Sequence, residues 1–227
     1  MIKNKKNGQL IIVSAPSGAG KDTVVRGVME KDNNNRWVSV SATSRPPRLG
    51  EKNGVDYYFF SKEEFEQKIK EDYFLEYAEY AGNYYGTPKE YIKEKLDQGI
   101  DVILIIEIQG AAIIKQKLPE SLLIFIMPPS LKTLVKRLKG RGTDSNDKII
   151  ERFHTAYKEI NEVTKYNYVV VNDKLEEAIE KVDAILKAEK CRVDRIEEVY
   201  LDTKEEEIHE LLLDKNFINE TTSSKID

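Results

Sequence analysis

The stretch SAPSGAGKDT, residues 14–23, decides the fold because it has the spacing of a phosphate-binding loop. The general pattern is G-x-x-x-x-G-K-[ST], in which backbone N–H groups surround one phosphate and the lysine reaches the β- and γ-phosphates. Gly18 and Gly20 allow the backbone to approach an anion closely, and Lys21 directly follows the second glycine. We therefore predict a phosphate site; an ordinary glycine-rich turn is the alternative.

Two positions of this loop depart from the pattern. Ala15 stands where the first glycine is expected, and this small residue is a mild change. Asp22 stands where a hydroxyl normally ligates Mg²⁺, and Thr23 comes one position late. A carboxylate close to phosphates is repelled by them unless a cation lies between the two. The loop is thus predicted to bind phosphate with an unusual environment for the metal.

Strand-like and helix-like segments alternate around this loop. The apolar run before it, residues 9–14, is typical of a buried parallel strand, and residues 22–31 have helical spacing. Further strand-like runs lie at residues 37–41, 101–107, 121–127 and 168–172, with helical segments between most of them. This alternation predicts an α/β fold with a parallel sheet and helices on both faces.

Residues 41–88 interrupt the alternation and are dense in Tyr and Phe. Strand-like pieces lie at residues 57–60 and 75–85, and a helix between them is opened by Ser61 with Glu64 three positions later, a capping box. This segment is predicted to be a small α+β insert.

Composition excludes several classes of protein. With 40% hydrophobic and 33% charged residues, the chain of 227 residues is predicted to pack a core, and no apolar run approaches the length of a membrane span. The basic N-terminus lacks a cleavage site for a signal peptide. Cys191 is the single cysteine, which excludes an intrachain disulfide, and His154 and His209 lie too far apart in sequence to suggest a metal site. We expect the reducing cytoplasm as the compartment.

The charge is distributed unevenly along the chain. Residues 192–227 carry 11 acidic and 5 basic side chains, a net charge of −6, whereas the remainder carries +2. A slightly basic body with clustered arginines suits a small anionic ligand better than duplex DNA. Residues 195–217 are compatible with one acidic helix, and the last ten residues with disorder. A dimer contact, a docking segment and a solvated appendage all remain open for this extension.

A second constellation, SATSRPPRLGEKNGVDYYFF at residues 41–60, begins where the second strand ends. Ligands of open α/β sheets bind at this edge. Arg45 and Arg48 flank two prolines that restrict the chain, and rigidly paired guanidinium groups suit a phosphate. A solvated arginine pair is the alternative.

Six separated motifs in order resemble the guanylate kinase family: SAPSGAGK, SATSRPPRLGEKNGVDYYF, FLEYAEYAGNYYGTP, EIQG, RLKGRGTD and VVVND. The resemblance runs from about residue 9 to 190. It implies a P-loop core domain at 1–40 and 89–190 with a mobile lid at about 137–152, a GMP-binding insert at 41–88, and an acidic extension at 191–227. It also implies transfer of the γ-phosphate of ATP to GMP with Mg²⁺ as cofactor, in a monomer or homodimer that binds neither nucleic acid nor membrane.

The resemblance assigns eight residues to the GMP side. Those that hold its phosphate are Arg45, Arg48, Tyr57 and Tyr85, and those that face the guanine are Ser41, Glu76, Thr87 and Glu107. Guanine presents N1–H and a 2-amino group as adjacent donors, which one carboxylate such as Glu76 accepts together, whereas adenine leaves that carboxylate unpaired. Packing or surface roles are expected for the remaining tyrosines Tyr58, Tyr73, Tyr77 and Tyr84.

The resemblance likewise assigns the ATP side and the catalytic residues. ATP is expected to contact Ala15, Pro16, Ser17, Gly18, Ala19, Gly20, Lys21, Asp22, Thr23, Arg137, Asn172 and Asp173. The catalytic residues are expected to be Lys21, Arg45, Arg141 and Arg152. For Arg137 a surface ion pair is the alternative, and for Asn172 and Asp173 a simple turn at a strand end.

The chain departs from the family where magnesium is organised. The family usually has two acidic residues spaced D/E-x-D/E before Q-G, but here the first is Ile105 and only Glu107 remains. Asp22 or Thr23 is therefore a candidate protein ligand of Mg²⁺. Two other functions stay open: a family member that binds without catalysing, which the presence of Lys21 and the lid arginines opposes, and another nucleoside monophosphate kinase, which Glu76 opposes.

Overall fold

The computed structural model describes residues 2–4, 7–32, 35–80, 82–140 and 146–199. The strands are β1 (Ile2–Asn4), β2 (Leu10–Ser14), β3 (Arg36–Val38), β4 (Ala42–Thr43), β5 (Tyr58–Phe59), β6 (Phe74–Tyr80), β7 (Asn83–Pro88), β8 (Asp101–Ile105), β9 (Leu122–Met127), β10 (Tyr168–Val171) and β11 (Ile196–Val199). The helices are α1 (Lys21–Lys31), α2 (Lys62–Lys70), α3 (Lys89–Asp97), α4 (Ile108–Lys117), α5 (Leu131–Lys139), α6 (Asn146–Ile160) and α7 (Leu175–Glu189). A 3₁₀ turn at Asn161–Lys165 follows α6.

Five strands form a parallel sheet in the order β10-β9-β2-β8-β3. The strand β2 lies at its centre and pairs in parallel with both β8 and β9. Every residue of β2 is buried, as expected for a strand covered on both faces, which is why its sequence is a continuous apolar run. The α/β class predicted from the sequence is confirmed.

Alternate residues of β2 face two separate cores. Ile11 and Val13 pack in one cluster with apolar residues of α1 and α7. Leu10 and Ile12 pack in another cluster with residues of α3 and α4. Because successive side chains of a strand point to opposite faces, this division places helices on both sides of the sheet.

Four further strands between Ala42 and Pro88 form a second sheet in the order β5-β4-β7-β6. Its small core contains Phe65 of α2 stacked on Phe74, with ring centroids 4.3 Å apart. Tyr58, Tyr73 and Tyr84 pack against this core, in agreement with the packing role expected for them. The helix α2 begins at the predicted capping box, since Ser61 and Glu64 each accept the backbone N–H of the other.

The helices α5 and α6 pack against each other through Leu134, Leu138 and Ala156. The residues between them, 141–145, include Arg141 and lie outside the described part of the chain. None of the helices in the described ranges is both long and apolar enough to cross a membrane.

The chain divides into two compact units, Lys6–Lys187 and a smaller unit from both chain ends, Met1–Lys5 with Ala188–Asp227. In the smaller unit, β1 and β11 form an antiparallel pair. The sequence favoured a helix across this part of the extension, but Ile196–Val199 is a strand because it finds a partner at the other chain end. The rest of the expected helix and the expected disordered end, 200–227, lie outside the described residues.

Candidate active site

The predicted phosphate loop connects β2 to α1. Gly18 and Gly20 have φ values of 92° and 90°, a left-handed conformation that glycine adopts without strain. The N–H of Ala19 donates to the carbonyl of Pro16 at 3.0 Å, and Gly20 is the N-cap of α1. The loop thus ends at a helix N-terminus, whose free N–H groups and dipole favour an anion.

Two side chains from elsewhere fix the carbonyl of Ala19. The Nδ2 of Asn172 donates to it at 2.8 Å and Nη1 of Arg137 at 3.2 Å, while Nη2 of Arg137 donates to the carbonyl of Asn172 at 2.9 Å. A Cβ at Gly20 would lie 2.6 Å from the same Nδ2, so a larger residue there would displace the amide that binds Ala19. Arg137 and Asn172, expected on the ATP side, therefore hold the loop at Ala19, and Asp173, the next residue after Asn172, is exposed.

Two exposed carboxylates flank the ammonium group of Lys21. Its Nζ lies 3.5 Å from Oε1 of Glu107 and 4.0 Å from Oδ2 of Asp22, side chains that are 64% and 68% exposed. Thr23 is exposed on the next position of α1. Among the described residues, no three Asp, Glu, His or Cys side chains are grouped as metal ligands. Mg²⁺ is usually bound by one or two carboxylates, substrate phosphates and several waters, and exposed carboxylates beside a lysine suit that mode of binding.

The helix α6 contacts the phosphate loop at Ser17. Nη2 of Arg152 donates to Oγ of Ser17 at 2.7 Å, and the N–H of Ser17 donates to Oε2 of Glu159 at 3.4 Å. Burial raises the pKa of Glu159, and the nearby charge of Glu107 raises it further. The structure thus brings the predicted Arg152 to the loop. The structure also places Glu159 at the loop. The sequence did not indicate this residue, because charged residues are common in helices and nothing set Glu159 apart from the others.

The predicted arginine pair is organised by one carboxylate. Nη1 and Nη2 of Arg45 donate to the two oxygens of Glu51, each at 2.8 Å, and the N–H of Arg48 donates to Oε2 of Glu51 at 2.6 Å. These hydrogen bonds lower the pKa of Glu51 to about 2, and those from Arg45 have the largest effect. The Arg45 side chain is 12% exposed, whereas Arg48 is exposed. Glu51 was not singled out in the sequence, although it lies within the arginine motif.

Aromatic rings surround the Arg45 guanidinium. Its Cζ lies 5.3 Å from the ring centroid of Tyr57 and 5.7 Å from that of Phe59. The rings of Tyr57 and Tyr85 are 6.2 Å apart. Burial raises the pKa of Tyr57, so its hydroxyl remains a hydrogen-bond donor at neutral pH. Three residues expected at the GMP phosphate are therefore neighbours.

Glu76 and Thr87 are paired on adjacent strands of the second sheet. Oγ1 of Thr87 donates to Oε1 of Glu76 at 2.6 Å, and Glu76 is only 7% exposed. Burial raises the pKa of Glu76, while the bond from Thr87 and the charge of Lys117 lower it in part. Ser41 is half-buried and its carbonyl accepts the N–H of Tyr58 at 2.8 Å. Oε1 of Glu107 lies 3.5 Å from Nζ of Lys21, and its expected place at the guanine stays a prediction.

Comparison with known proteins covers nearly the whole chain. The family model described as Guanylate kinase matches residues 7–189. The guanylate kinase of Clostridium tetani (strain Massachusetts / E88) is 56% identical over 209 residues, 92% of this chain and 100% of the relative. That of Clostridium perfringens (strain SM101 / Type A) is 53% identical over 213 residues, 94% of this chain and 98% of the relative.

A solved structure gives the same result for the fold. The crystal structure of guanylate kinase from Anaplasma phagocytophilum matches with a TM-score of 0.70 and 32% sequence identity, over 94% of this chain and 98% of that chain. Sequence and fold thus agree over nearly the full length, which includes the loop with Gly18, Gly20 and Lys21. The chain belongs to the guanylate kinase family.

Proposed function

We propose that this chain transfers the γ-phosphate of ATP to GMP and so produces ADP and GDP. The observation that carries the proposal is the buried carboxylate of Glu76, held by Thr87 at 2.6 Å, in the same unit as the phosphate loop. A buried carboxylate without a donor from its ligand is unfavourable, and guanine supplies two adjacent donors. The family of the chain supports the same substrates.

GMP would be held at both of its ends. Arg45, Arg48, Tyr57 and Tyr85 would bind its phosphate. Ser41, Glu76, Thr87 and Glu107 would contact its base. Glu51 supports this arrangement because its hydrogen bonds to the arginine segment hold the Arg45 fork in one orientation. The neighbouring aromatic rings restrict the same group.

The transfer itself needs positioning and positive charge. An oxygen of the GMP phosphate would attack the γ-phosphorus in line, while the bond from that phosphorus to the β–γ bridging oxygen breaks and ADP leaves. No general base is required, because the attacking phosphate is already ionised. Lys21 would stabilise charge on the phosphates of ATP, and Arg45 would align the acceptor. Closure of the lid would bring Arg141 and Arg152 to the transferred phosphate and exclude water.

Magnesium fits the donor set around Lys21. Carboxylates are the protein ligands that Mg²⁺ prefers, and the ion usually keeps several waters. Asp22 is exposed and its Oδ2 lies 4.0 Å from Nζ of Lys21, so we propose that it holds the ion through water, with Thr23 as a further candidate ligand. When bound, Mg²⁺ neutralises charge on the phosphates of ATP.

A coupled assay of ADP release tests the proposed function. Purified chain is supplied with ATP, Mg²⁺ and GMP, AMP, UMP or dTMP in turn, and the variant Lys21→Ala serves as the inactive control. We expect turnover with GMP that exceeds turnover with the other acceptors by at least about a hundredfold. Preference for another acceptor would assign a different kinase activity, and absence of turnover with all four would identify a binding protein.

A further inference from the structure

We infer that Gly110 positions Glu76 for guanine recognition, because the missing side chain of Gly110 leaves the space that the Glu76 carboxylate occupies. The inference rests on the proposed function. It adds Gly110, which is not one of the residues proposed to contact GMP or ATP. Gly110 lies in the first turn of α4, within the EIQG motif, and Glu76 lies on β6.

The distances leave no room for a larger residue at this position. A Cβ on Gly110 would lie 2.8 Å from Oε2 and 3.1 Å from Cδ of Glu76. The carboxylate does not move away freely, because its other oxygen accepts the hydrogen bond from Thr87 and the side chain is 7% exposed. One oxygen is therefore held by a donor, and the other lies against the bare backbone of a helix.

The backbone of α4 gives no separate reason for a glycine. Gly110 is absent from the described residues with positive φ, so an L-residue adopts its conformation without strain. In a helix, alanine is more favourable than glycine, because glycine loses more conformational freedom on folding. Space for the carboxylate is the feature that alanine would remove.

The electrostatics of α4 favour the same arrangement. Its first-turn N–H groups give the helix N-terminus a partial positive charge, which stabilises a nearby carboxylate. The N-cap residue, Glu107, makes no capping hydrogen bond through its side chain. Without a side chain on Gly110, Glu76 approaches this end of the helix and remains in the orientation that Thr87 sets.

The variant Gly110→Ala should therefore impair recognition of the guanine 2-amino group. Inosine monophosphate (IMP) lacks this group but keeps N1–H, so the ratio of kcat/KM for GMP over IMP measures the carboxylate position. We expect the KM for GMP to rise about tenfold, the GMP:IMP ratio to fall about tenfold, and the KM for ATP to stay within about twofold.

A matched control separates recognition from general overpacking. Gly27 lies in α1, and a Cβ there would be 2.2 Å from Cδ1 of Ile179. Neither residue belongs to the set proposed to contact the guanine base. Gly27→Ala makes the same chemical change in another helix. It should lower the melting temperature and leave the GMP:IMP ratio unchanged.

A double-mutant cycle with Glu76→Asp tests whether the contact is direct. Aspartate is one methylene shorter, so Gly110→Ala should reduce GMP affinity less in the Glu76→Asp background than in the wild type. If Gly110→Ala alone does not fold, the double variant decides. Folding with the melting temperature of Glu76→Asp supports the contact, and failure to fold assigns Gly110 to packing and overturns the inference.

Binding of GMP and IMP, measured by calorimetry without ATP, keeps the two proposals distinguishable. A wild-type chain that binds GMP more tightly than IMP without transferring phosphate would contradict the proposed function but leave the role of Gly110 intact. An unchanged GMP:IMP ratio in Gly110→Ala, in both binding and turnover, would overturn the inference while the proposed function stands.

Discussion

Arg45 and Glu51 form a bidentate ion pair in which both terminal nitrogens of the guanidinium lie 2.8 Å from carboxylate oxygens. The same carboxylate accepts the N–H of Arg48, so that one side chain shapes the whole arginine segment. The rings of Tyr57 and Phe59 border the guanidinium. A fork that is held before the ligand arrives loses less freedom when it binds phosphate.

Replacing Glu51 by Gln should weaken this preorganisation. The neutral amide has one acceptor oxygen in place of two, so Arg45 keeps at most one of the paired bonds. We expect the KM for GMP to rise about three- to tenfold with kcat changed less than about twofold. Initial rates at varied GMP measure this, with Glu63→Gln, an exposed carboxylate on α2, as the control. A decrease in KM would show that Glu51 competes with the substrate phosphate for Arg45.

The pairing of Thr87 with Glu76 predicts a dependence of GMP recognition on pH. Only the ionised carboxylate accepts both guanine donors, and burial raises the pKa of Glu76 above its usual value of 4.5. As the pH falls through this raised pKa, Glu76 takes up a proton, and kcat/KM for GMP should fall with it. The hydrogen bond from Thr87 opposes the rise in pKa.

Thr87→Val removes that hydrogen bond and keeps the shape of the side chain. The pKa of Glu76 should then rise further, and the acid limb of the kcat/KM profile for GMP should move to higher pH. Thr155→Val, on the exposed face of α6, should leave the profile in place. An acid limb that stays at the wild-type pH would mean that another group controls it.

The features predicted well from the sequence are local ones. The phosphate loop follows from the spacing of Gly18, Gly20 and Lys21, and β2 follows from its unbroken apolar run. The capping box at Ser61 involves four consecutive residues and could likewise be predicted from the sequence. In each case the interactions that determine the structure join residues that are close in the chain.

The features missed depend on distant residues. Ser17 and Glu159 are separated by 142 positions, and nothing in either local sequence indicates that they meet. The strands β1 and β11 have three and four residues and exist because the two chain ends pair. Gly110 has an ordinary helical neighbourhood, and its relation to Glu76 is visible only when β6 and α4 are placed together.

Asp22 is predicted to set how much Mg²⁺ the reaction requires. Ile105 stands where the family usually has an acidic residue, and Asp22 supplies a carboxylate where the phosphate-loop pattern has a hydroxyl. Asp22 lies 4.0 Å from Nζ of Lys21, the residue that we propose to bind the phosphates of ATP. Asp22→Ala should raise the free Mg²⁺ concentration for half-maximal rate about tenfold at saturating ATP and GMP. Adding Ile105→Asp to this variant should lower the requirement again. An unchanged Mg²⁺ titration in Asp22→Ala would exclude a role for this carboxylate.

A buried ion pair joins β3 to α7, and we expect it to contribute to the free energy of unfolding. Nη2 of Arg36 lies 2.8 Å from Oδ1 of Asp183, and their side chains are 1% and 5% exposed. Arg36→Met should lower the free energy of unfolding by up to about 3–5 kcal/mol, because it removes the buried cation from this carboxylate and leaves the exposed Lys187, whose Nζ lies 2.7 Å from Oδ2 of Asp183. The double variant Arg36→Met with Asp183→Leu should recover most of this loss. Urea denaturation measures both, and a loss under about 1 kcal/mol in the single variant would contradict the argument.

The contact between Arg152 and Ser17 predicts how α6 acts during transfer. Arg152 and Glu159 lie seven residues apart, two turns on one face of α6, and both bind Ser17 of the phosphate loop. If Arg152 leaves Ser17 for the transferred phosphate when the lid closes, the hydroxyl of Ser17 is not needed in the transition state. Ser17→Ala should then change kcat by less than about threefold, whereas Arg152→Ala should lower it at least about a hundredfold.

Rates at saturating ATP and GMP test this difference, and Lys158→Ala, an exposed charge on the same helix, serves as the control. Arg152→Lys should fall between the wild type and Arg152→Ala, because lysine keeps the charge and loses the planar fork. Equal losses of kcat in Ser17→Ala and Arg152→Ala would show that Arg152 stays on Ser17 during transfer. The arginine would then act by holding the phosphate loop, and the charge on the transferred phosphate would be stabilised by other residues.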